Sequence, residues 1–144
     1  MNTRNAFSLI ESLVVLSIFS IIAVMAVGTF RGERNGAEIQ DATASVRNAF
    51  ERARNEAATG KGNEKHGVHV EADRVVIFEG TSYVPGVGKE VLLPAAVSTD
   101  QASTTIVFNR ISATPDASVT VIISHISGAT STVTVTNDGI ISSH

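Results

Sequence analysis

Histidines and neighbouring acids are the side chains in this sequence that could bind a metal ion or transfer a proton. His66 and His69 are three residues apart, which places them on opposite faces of an extended segment, so we do not expect them to share a metal ion. His125 stands alone in an apolar stretch, and Glu71 and Asp73 fit a turn better than an acid–base pair. No serine has a recognisable histidine and acid partner. The sequence therefore predicts no enzyme, no metal site and no cofactor.

A single acid, Glu11, interrupts the otherwise uncharged segment from Phe7 to Val27. The segment is long enough to cross a membrane as a helix, which takes about 20 apolar residues. A carboxylate within such a helix costs roughly 2.5–3.5 kcal/mol on insertion scales. An acid at this position is therefore expected to have a partner that offsets its cost.

Three interpretations of this segment are open. It has the length of a plain transmembrane helix. It also resembles a secretory signal peptide, because Ala26-Val27-Gly28 offers a cleavage site, although its apolar run exceeds the usual roughly 7–15 residues. In the third interpretation a short leader containing Arg4 is removed just before the apolar run. Phe7 then becomes the N-terminus, and Glu11 lies about one helical turn from the new amine.

The stretch AFSLIESLVVLSIFSIIAVMAVGTF resembles the class III signal of type IV pilins and type II secretion pseudopilins. The resemblance lies in a small residue, a phenylalanine, the Leu9-Ile10-Glu11 core and a long apolar run in the family's spacing. It implies that prepilin peptidase cuts between Ala6 and Phe7 and that Phe7 is then N-methylated. Ala6 stands where the family usually has glycine, and cleavage is still expected because alanine is also small.

The same resemblance supplies a partner for Glu11, which matches the family's glutamate at the fifth mature position. When subunits stack in a filament, the carboxylate of Glu11 can meet the Phe7 amine of a neighbour. A desolvated ion pair of this kind favours one register of assembly, whatever its net contribution to stability. The alternative is an acid near the membrane surface whose carboxylate reaches water.

The rest of the chain must position this segment. We predict a helix break at Gly28, because glycine weakens a helix by about 1 kcal/mol relative to alanine and related pilins often carry proline nearby. Simple flexibility where the helix leaves the membrane is the alternative. The predicted organisation is a leader over 1–6, a transmembrane and assembly helix over 7–28, an amphipathic helix over 29–59 and an antiparallel β domain over 60–144.

An apolar stripe at three- and four-residue spacing predicts that the second half of the helix buries one face. The stripe consists of Ile39, Ala42, Val46, Ala49, Phe50, Ala53 and Ala57, and Gly60 is the predicted cap. Segments rich in β-branched residues then predict strands at 68–70, 74–78, 91–93, 104–108, 118–124, 131–136 and 140–141. The fold class is therefore α+β, with a long N-terminal helix packed on a C-terminal antiparallel sheet of six or seven strands.

The C-terminal part resembles the GspH/FimT group of minor pseudopilins and pilins. The likeness rests on RNAFERARNEAATGKG at the helix end and on LLPAAVS, TTIVFNR and TVTVTNDGII in the β domain. It implies a structural subunit whose partners are other pilin or pseudopilin subunits, prepilin peptidase, the inner-membrane assembly platform and membrane lipid. The implied location is the inner membrane, as a single-pass protein with its globular domain outside the cytoplasm, and then the pilus or pseudopilus.

Charge separates this function from its alternative, an adhesive or DNA-binding subunit at a pilus tip. From residue 60 onward the chain has five lysines and arginines against eight acids, a net charge of −3. A DNA-binding domain is expected to carry a basic face, and the tail NDGIISSH has neither lysine nor arginine. Nucleic acid is therefore not an expected partner. The absence of cysteine excludes disulfides and thiolate chemistry.

Overall fold

The computed structural model describes residues 8–101 and 103–144, and for residues 27–31 it describes the helical backbone without the side chains. One long helix, α1 (Leu9–Ala58), comes first. A short 3₁₀ turn at Lys61–Asn63 leads into the strands. The described part contains eight of them: β1 (His66–Val70), β2 (Arg74–Glu79), β3 (Lys89–Leu92), β4 (Val97–Thr99), β5 (Thr104–Phe108), β6 (Val119–His125), β7 (Thr130–Val135) and β8 (Ile141–Ser143). This order of elements confirms the predicted α+β class.

The helix ends at Ala58, one residue before the predicted end. Gly60 follows with a left-handed φ of 64°, and its amide donates to the carbonyl of Ala57, as expected of a glycine that terminates a helix. Gly28 lies within the helical backbone of α1. The break predicted at Gly28 concerns helices packed in a filament, and it stays a prediction.

The chain divides into two compact units, with the boundary between Arg34 and Asn35. The second unit, residues 35–144, contains the whole hydrophobic core. All seven residues of the predicted apolar stripe are buried there, including Phe50 and Ala53, which have no exposed surface. They pack with valines and isoleucines of both sheets in one cluster. The three- and four-residue spacing therefore identified the buried face of α1 correctly.

The strands form two four-stranded antiparallel sheets, where the sequence predicted one meander of six or seven strands. Sheet A has the order β3-β2-β1-β5, and sheet B has the order β4-β6-β7-β8. The missed strand, β4, has only three residues, and it pairs with β6 through Val97 and His125. Both this pairing and that of β5 with β1 join segments far apart in the chain, so no local pattern marks them.

Sheet A is covered on both faces, which explains why every residue of β1 is buried. Its inner face packs on the core through Val68 and Val70. On its outer face the loop after β2 returns over the sheet, and the ring of Tyr83 stacks on His69 with centroids 3.9 Å apart. Gly67 is required beneath this cover, because a Cβ there would lie 2.5 Å from the Cζ atom of Phe78.

Because the core lies entirely within residues 35–144, we expect a chain starting at Gly32 to fold without the apolar segment. It should unfold cooperatively on heating and sediment as a monomer, since the segment proposed to drive assembly has been removed. Circular dichroism and analytical ultracentrifugation would measure both properties. A stable filament formed by this truncated chain would contradict the assignment of assembly to the N-terminal helix.

Candidate assembly site in the N-terminal helix

The first part of α1 is apolar and exposed. Leu9–Ala26 has a mean hydropathy of 2.5, and none of it is buried within the chain. By length and composition this stretch can cross a membrane. A helix that is apolar on all sides and has no partner in its own chain needs lipid or other protein around it.

Ser8 and Glu11 define the start of α1. The amide of Glu11 donates to the Ser8 hydroxyl at 3.3 Å and to the Ser8 carbonyl at 3.1 Å, so Ser8 is the N-terminal cap. Glu11 is then the third residue of the helix, where the helix dipole favours a negative charge. Among the described residues, the Glu11 carboxylate makes no hydrogen bond or ion pair. The acid is therefore held at a defined place in the first turn with its carboxylate available.

The cap at Ser8 was not predicted, although the sequence contains a pattern typical of one. Ser8-Leu9-Ile10-Glu11 has the serine-x-x-glutamate pattern of a capping box before an apolar run. The consequence is that α1 starts at Leu9, two residues after the predicted first mature residue, Phe7. The mature N-terminus would therefore be one residue before the cap.

Two further polar groups in the apolar segment are satisfied within the helix. The Ser17 hydroxyl donates to the carbonyl of Val14 at 2.7 Å, and the Ser20 hydroxyl donates to that of Leu16 at 2.8 Å. A hydroxyl bonded to its own helix costs much less in lipid than an unpaired one. The Glu11 carboxylate makes no comparable bond to any residue that the structure describes.

The other predicted site residues are placed as follows. The cleavage and methylation residues, Ala6 and Phe7, lie outside the described residues. Glu11 lies in the first turn of α1, and Gly28 lies in the same helix. The structure therefore gives no distance between Glu11 and Phe7.

Three histidines on the strands contact other parts of the domain. His66 is buried with its Nε2 atom 3.7 Å from a carboxylate oxygen of Glu56 on α1, whereas His69 faces Tyr83 on the outer side of sheet A. These two residues thus lie on opposite faces, as predicted. His125 is buried between Ser127 and Glu38. Within residues 8–101 and 103–144, no group of three or more potential ligands could hold a metal ion.

Glu56 is the most connected acid near the end of α1. Its Oε1 atom accepts from Arg52 at 3.0 Å and lies 3.1 Å from the amine of Lys61. Burial by itself raises the pKa of Glu56, but the hydrogen bonds and charges of Lys61 and Arg52 outweigh it and hold the pKa below its ordinary value. One turn earlier on α1, Glu51 pairs with Arg47 at 2.7 Å. The two pairs within α1 are four residues apart and stabilise the helix.

A family model described as the prokaryotic N-terminal methylation motif matches residues 1–27. No curated protein matches the sequence significantly. The fold is similar to that of the type IV minor pilin FimU of Pseudomonas aeruginosa, with a TM-score of 0.59 and 16% identity over 78% of this chain and 90% of that one. It is also similar to the minor pseudopilin EpsH from the type 2 secretion system of Vibrio cholerae. That comparison gives a TM-score of 0.57 and 12% identity over 74% of this chain and 96% of that one. The chain therefore combines a prepilin methylation motif with a pilin-like fold.

Proposed function

We propose that this protein is a structural subunit, a minor pilin or pseudopilin, of a type IV pilus or type II secretion filament. One combination carries the proposal: a methylation motif over residues 1–27 precedes a pilin-like domain. The structural relatives named above are minor subunits of these two kinds of machine. An exposed apolar helix that starts at Leu9 is the part of the molecule that suits assembly.

In this proposal the precursor enters the inner membrane with its globular domain outside the cytoplasm. Prepilin peptidase removes residues 1–6, and Phe7 is N-methylated. An assembly platform in the membrane then adds the mature subunit to other pilin or pseudopilin subunits. Glu11 directs this step, because its carboxylate has no partner among residues 8–101 and 103–144 and can pair with the amine of a neighbour's Phe7.

The protein does no chemistry in this role. The buried histidines contact structural partners, and the groove of about 380 Å³ beside Arg47 and Ser143 is bordered by an ion pair and hydroxyls. A DNA-binding role has less support, because the domain has a net charge of −3 from residue 60 onward.

The processing step tests the proposal. We expect the native membrane protein to begin at a methylated Phe7, because the leader junction is a small residue followed by phenylalanine. Intact-mass analysis of the purified protein would measure this directly. A bulky residue in place of Ala6, as in Ala6→Leu, should leave the precursor uncut in the membrane. A mature chain that begins at Thr29 would instead identify a secretory signal peptide and overturn the proposal.

A further inference from the structure

The strand β8 lies at an edge of sheet B and has an unpaired outer side. Only its other side is bonded, to β7. The amide of His144 donates to the carbonyl of Thr132 at 3.0 Å, and the amide of Thr132 donates back at 2.8 Å. Backbone groups alternate between the two sides of an antiparallel strand, so those of Ile141 and Ser143 point away from β7. Among the residues that the structure describes, none pairs with these outward groups.

The other three edge strands of the described sheets are protected. On β4, the amide of Thr99 donates to the carbonyl of Ala72 at 3.0 Å. On β5, the carbonyl of Val107 accepts from the amide of Asp116 at 3.0 Å. The strand β3 carries the charged pair Lys89-Glu90, and charged side chains on an edge discourage pairing with another chain. In contrast, β8 has neither a charged residue nor a covering segment among the described residues.

A groove of about 380 Å³ lies beside this open edge, between α1 and sheet B. Ser131 and Ser143 line it from the sheet. Ser143 is paired with the buried Val133, and residues directly opposite each other share a face of a sheet, so both serines are on the face that packs against α1. Small side chains at these positions leave the space that forms the groove.

The charged groups that line the groove are paired, and so are two of its hydroxyls. Arg47 and Glu51 are the charged residues of the lining, and they bind each other at 2.7 Å. The Thr43 hydroxyl donates to a carbonyl of its own helix at 2.7 Å, and the Ser131 hydroxyl donates to the backbone at the end of β8 at 2.8 Å. The groove therefore offers no unpaired charge, and it suits an uncharged side chain.

We propose that the outer edge of β8 binds an extended, uncharged segment of a partner protein, which joins sheet B as a fifth antiparallel strand. The edge presents the amides and carbonyls of Ile141 and Ser143, two residues apart, and this pattern is complementary to the backbone of another strand. Residues of the segment that lie opposite Ile141 and Ser143 donate their amides to β8. The side chains of the same residues face α1 and the groove.

This binding goes beyond the proposed function and does not depend on it. The edge and the groove lie within residues 35–144, whereas the proposed assembly site lies in the apolar part of α1. A failure to bind a peptide would therefore leave the processing and assembly of the subunit untouched.

Amide hydrogen exchange at Ile141 and Ser143 tests the contact in the full chain in detergent micelles. The probe is an acetylated and amidated hexapeptide, TSTVTV, which has the uncharged sequence of β7. At millimolar peptide, exchange at both amides should slow by roughly tenfold or more, because both become hydrogen-bonded. The amides of β3 should be unaffected and serve as the control. Unchanged exchange at Ile141 and Ser143 would overturn the proposal. Protection of both amides before peptide is added would also overturn it, because a second copy of the chain would then cover the edge.

Methylated peptides test the predicted register. If the valine side chains face the groove, the valine amides are the ones that donate to β8, so N-methylation of both should abolish the slowing of exchange. N-methylation of the two inner threonine amides is the matched control and should leave the slowing intact, because those amides face away from β8. Equal slowing by the valine-methylated and the unmodified peptide would contradict the strand pairing.

A substitution on β8 tests the same contact from the side of the protein. Ser143→Pro removes the outward amide but no bond to β7, a position where an edge strand tolerates proline. The peptide should then no longer slow exchange at Ile141, whereas Ser143→Ala, which keeps the amide, should behave as the wild-type chain. Thermal midpoints of both variants would show whether the domain stays folded, and the methylated peptides decide the question if the proline variant does not. Undiminished slowing at Ile141 in a folded Ser143→Pro variant would overturn the proposal.

Discussion

Glu11→Val is expected to enter the membrane at least as well as the wild-type chain and yet to assemble poorly. Insertion should not suffer, because the substitution removes a carboxylate that costs roughly 2.5–3.5 kcal/mol in lipid. Cleavage should also be normal, since the junction before Phe7 is unchanged. Assembly should fail because the neighbour's amine loses its partner, and deleting one member of a desolvated pair costs about 3–5 kcal/mol.

Membrane fractionation and co-purification with other pilin subunits after mild crosslinking would measure these two effects separately. Glu11→Gln is the matched control: it keeps hydrogen-bonding atoms but loses the charge, so it should give intermediate assembly. Ser8→Ala tests the neighbouring cap and should have a smaller effect, because losing a cap costs about 1 kcal/mol. Normal assembly of the valine variant would show that Glu11 is only an acid near the membrane surface. Loss of insertion would contradict the lipid cost itself.

Phe50→Ala is expected to have the largest effect on the globular domain. Phe50 is fully buried on the face of α1 that packs against the core, and it is among the largest buried side chains described. Replacing a buried phenylalanine by alanine costs about 3–5 kcal/mol, through lost transfer free energy and the cavity left behind. Since whole domains are stable by about 5–15 kcal/mol, this is a large share of the total.

The free energy of unfolding of the chain starting at Gly32, measured by urea denaturation, would test this expectation. Asn55→Ala is the control on the same helix: its side chain is exposed, so its effect should stay within about 0.5 kcal/mol. A loss below about 1.5 kcal/mol for Phe50→Ala would mean that the core closes around the missing ring.

The sequence predicted those parts of the fold whose signals are local. The stripe that includes Ala42, Val46 and Phe50 has a period that only a helix satisfies, and the hairpin between β1 and β2 has its turn residues beside its strands. The pairing of Val97 with His125 was not predictable in the same way. It joins short segments from distant parts of the chain, and nothing in three residues specifies which partner they find.

The same distinction between local signals and distant contacts applies to individual residues. The position of Glu11 in an apolar segment was evident from the sequence, and the cap at Ser8 had a readable pattern that was missed. The positive φ of Ile111 was not predicted, because a β-branched residue gives no local signal for the left-handed region. The hydrogen bond from its amide to the carbonyl of Ala57 joins residues more than fifty positions apart, so it too has no local pattern.

The alanines on the buried face of α1 determine how this domain can diverge. Ala42, Ala49, Ala53 and Ala57 leave little more than a methyl group between the helix backbone and the sheets. A larger residue at any one of them would have to displace the whole helix, because its backbone moves as a unit. The sheet side is different, since valines and isoleucines there can exchange volume with one another. Substitutions should therefore accumulate quickly along the strands and slowly along one helix face. The fold can then persist while overall identity falls as low as the 16% shared with FimU.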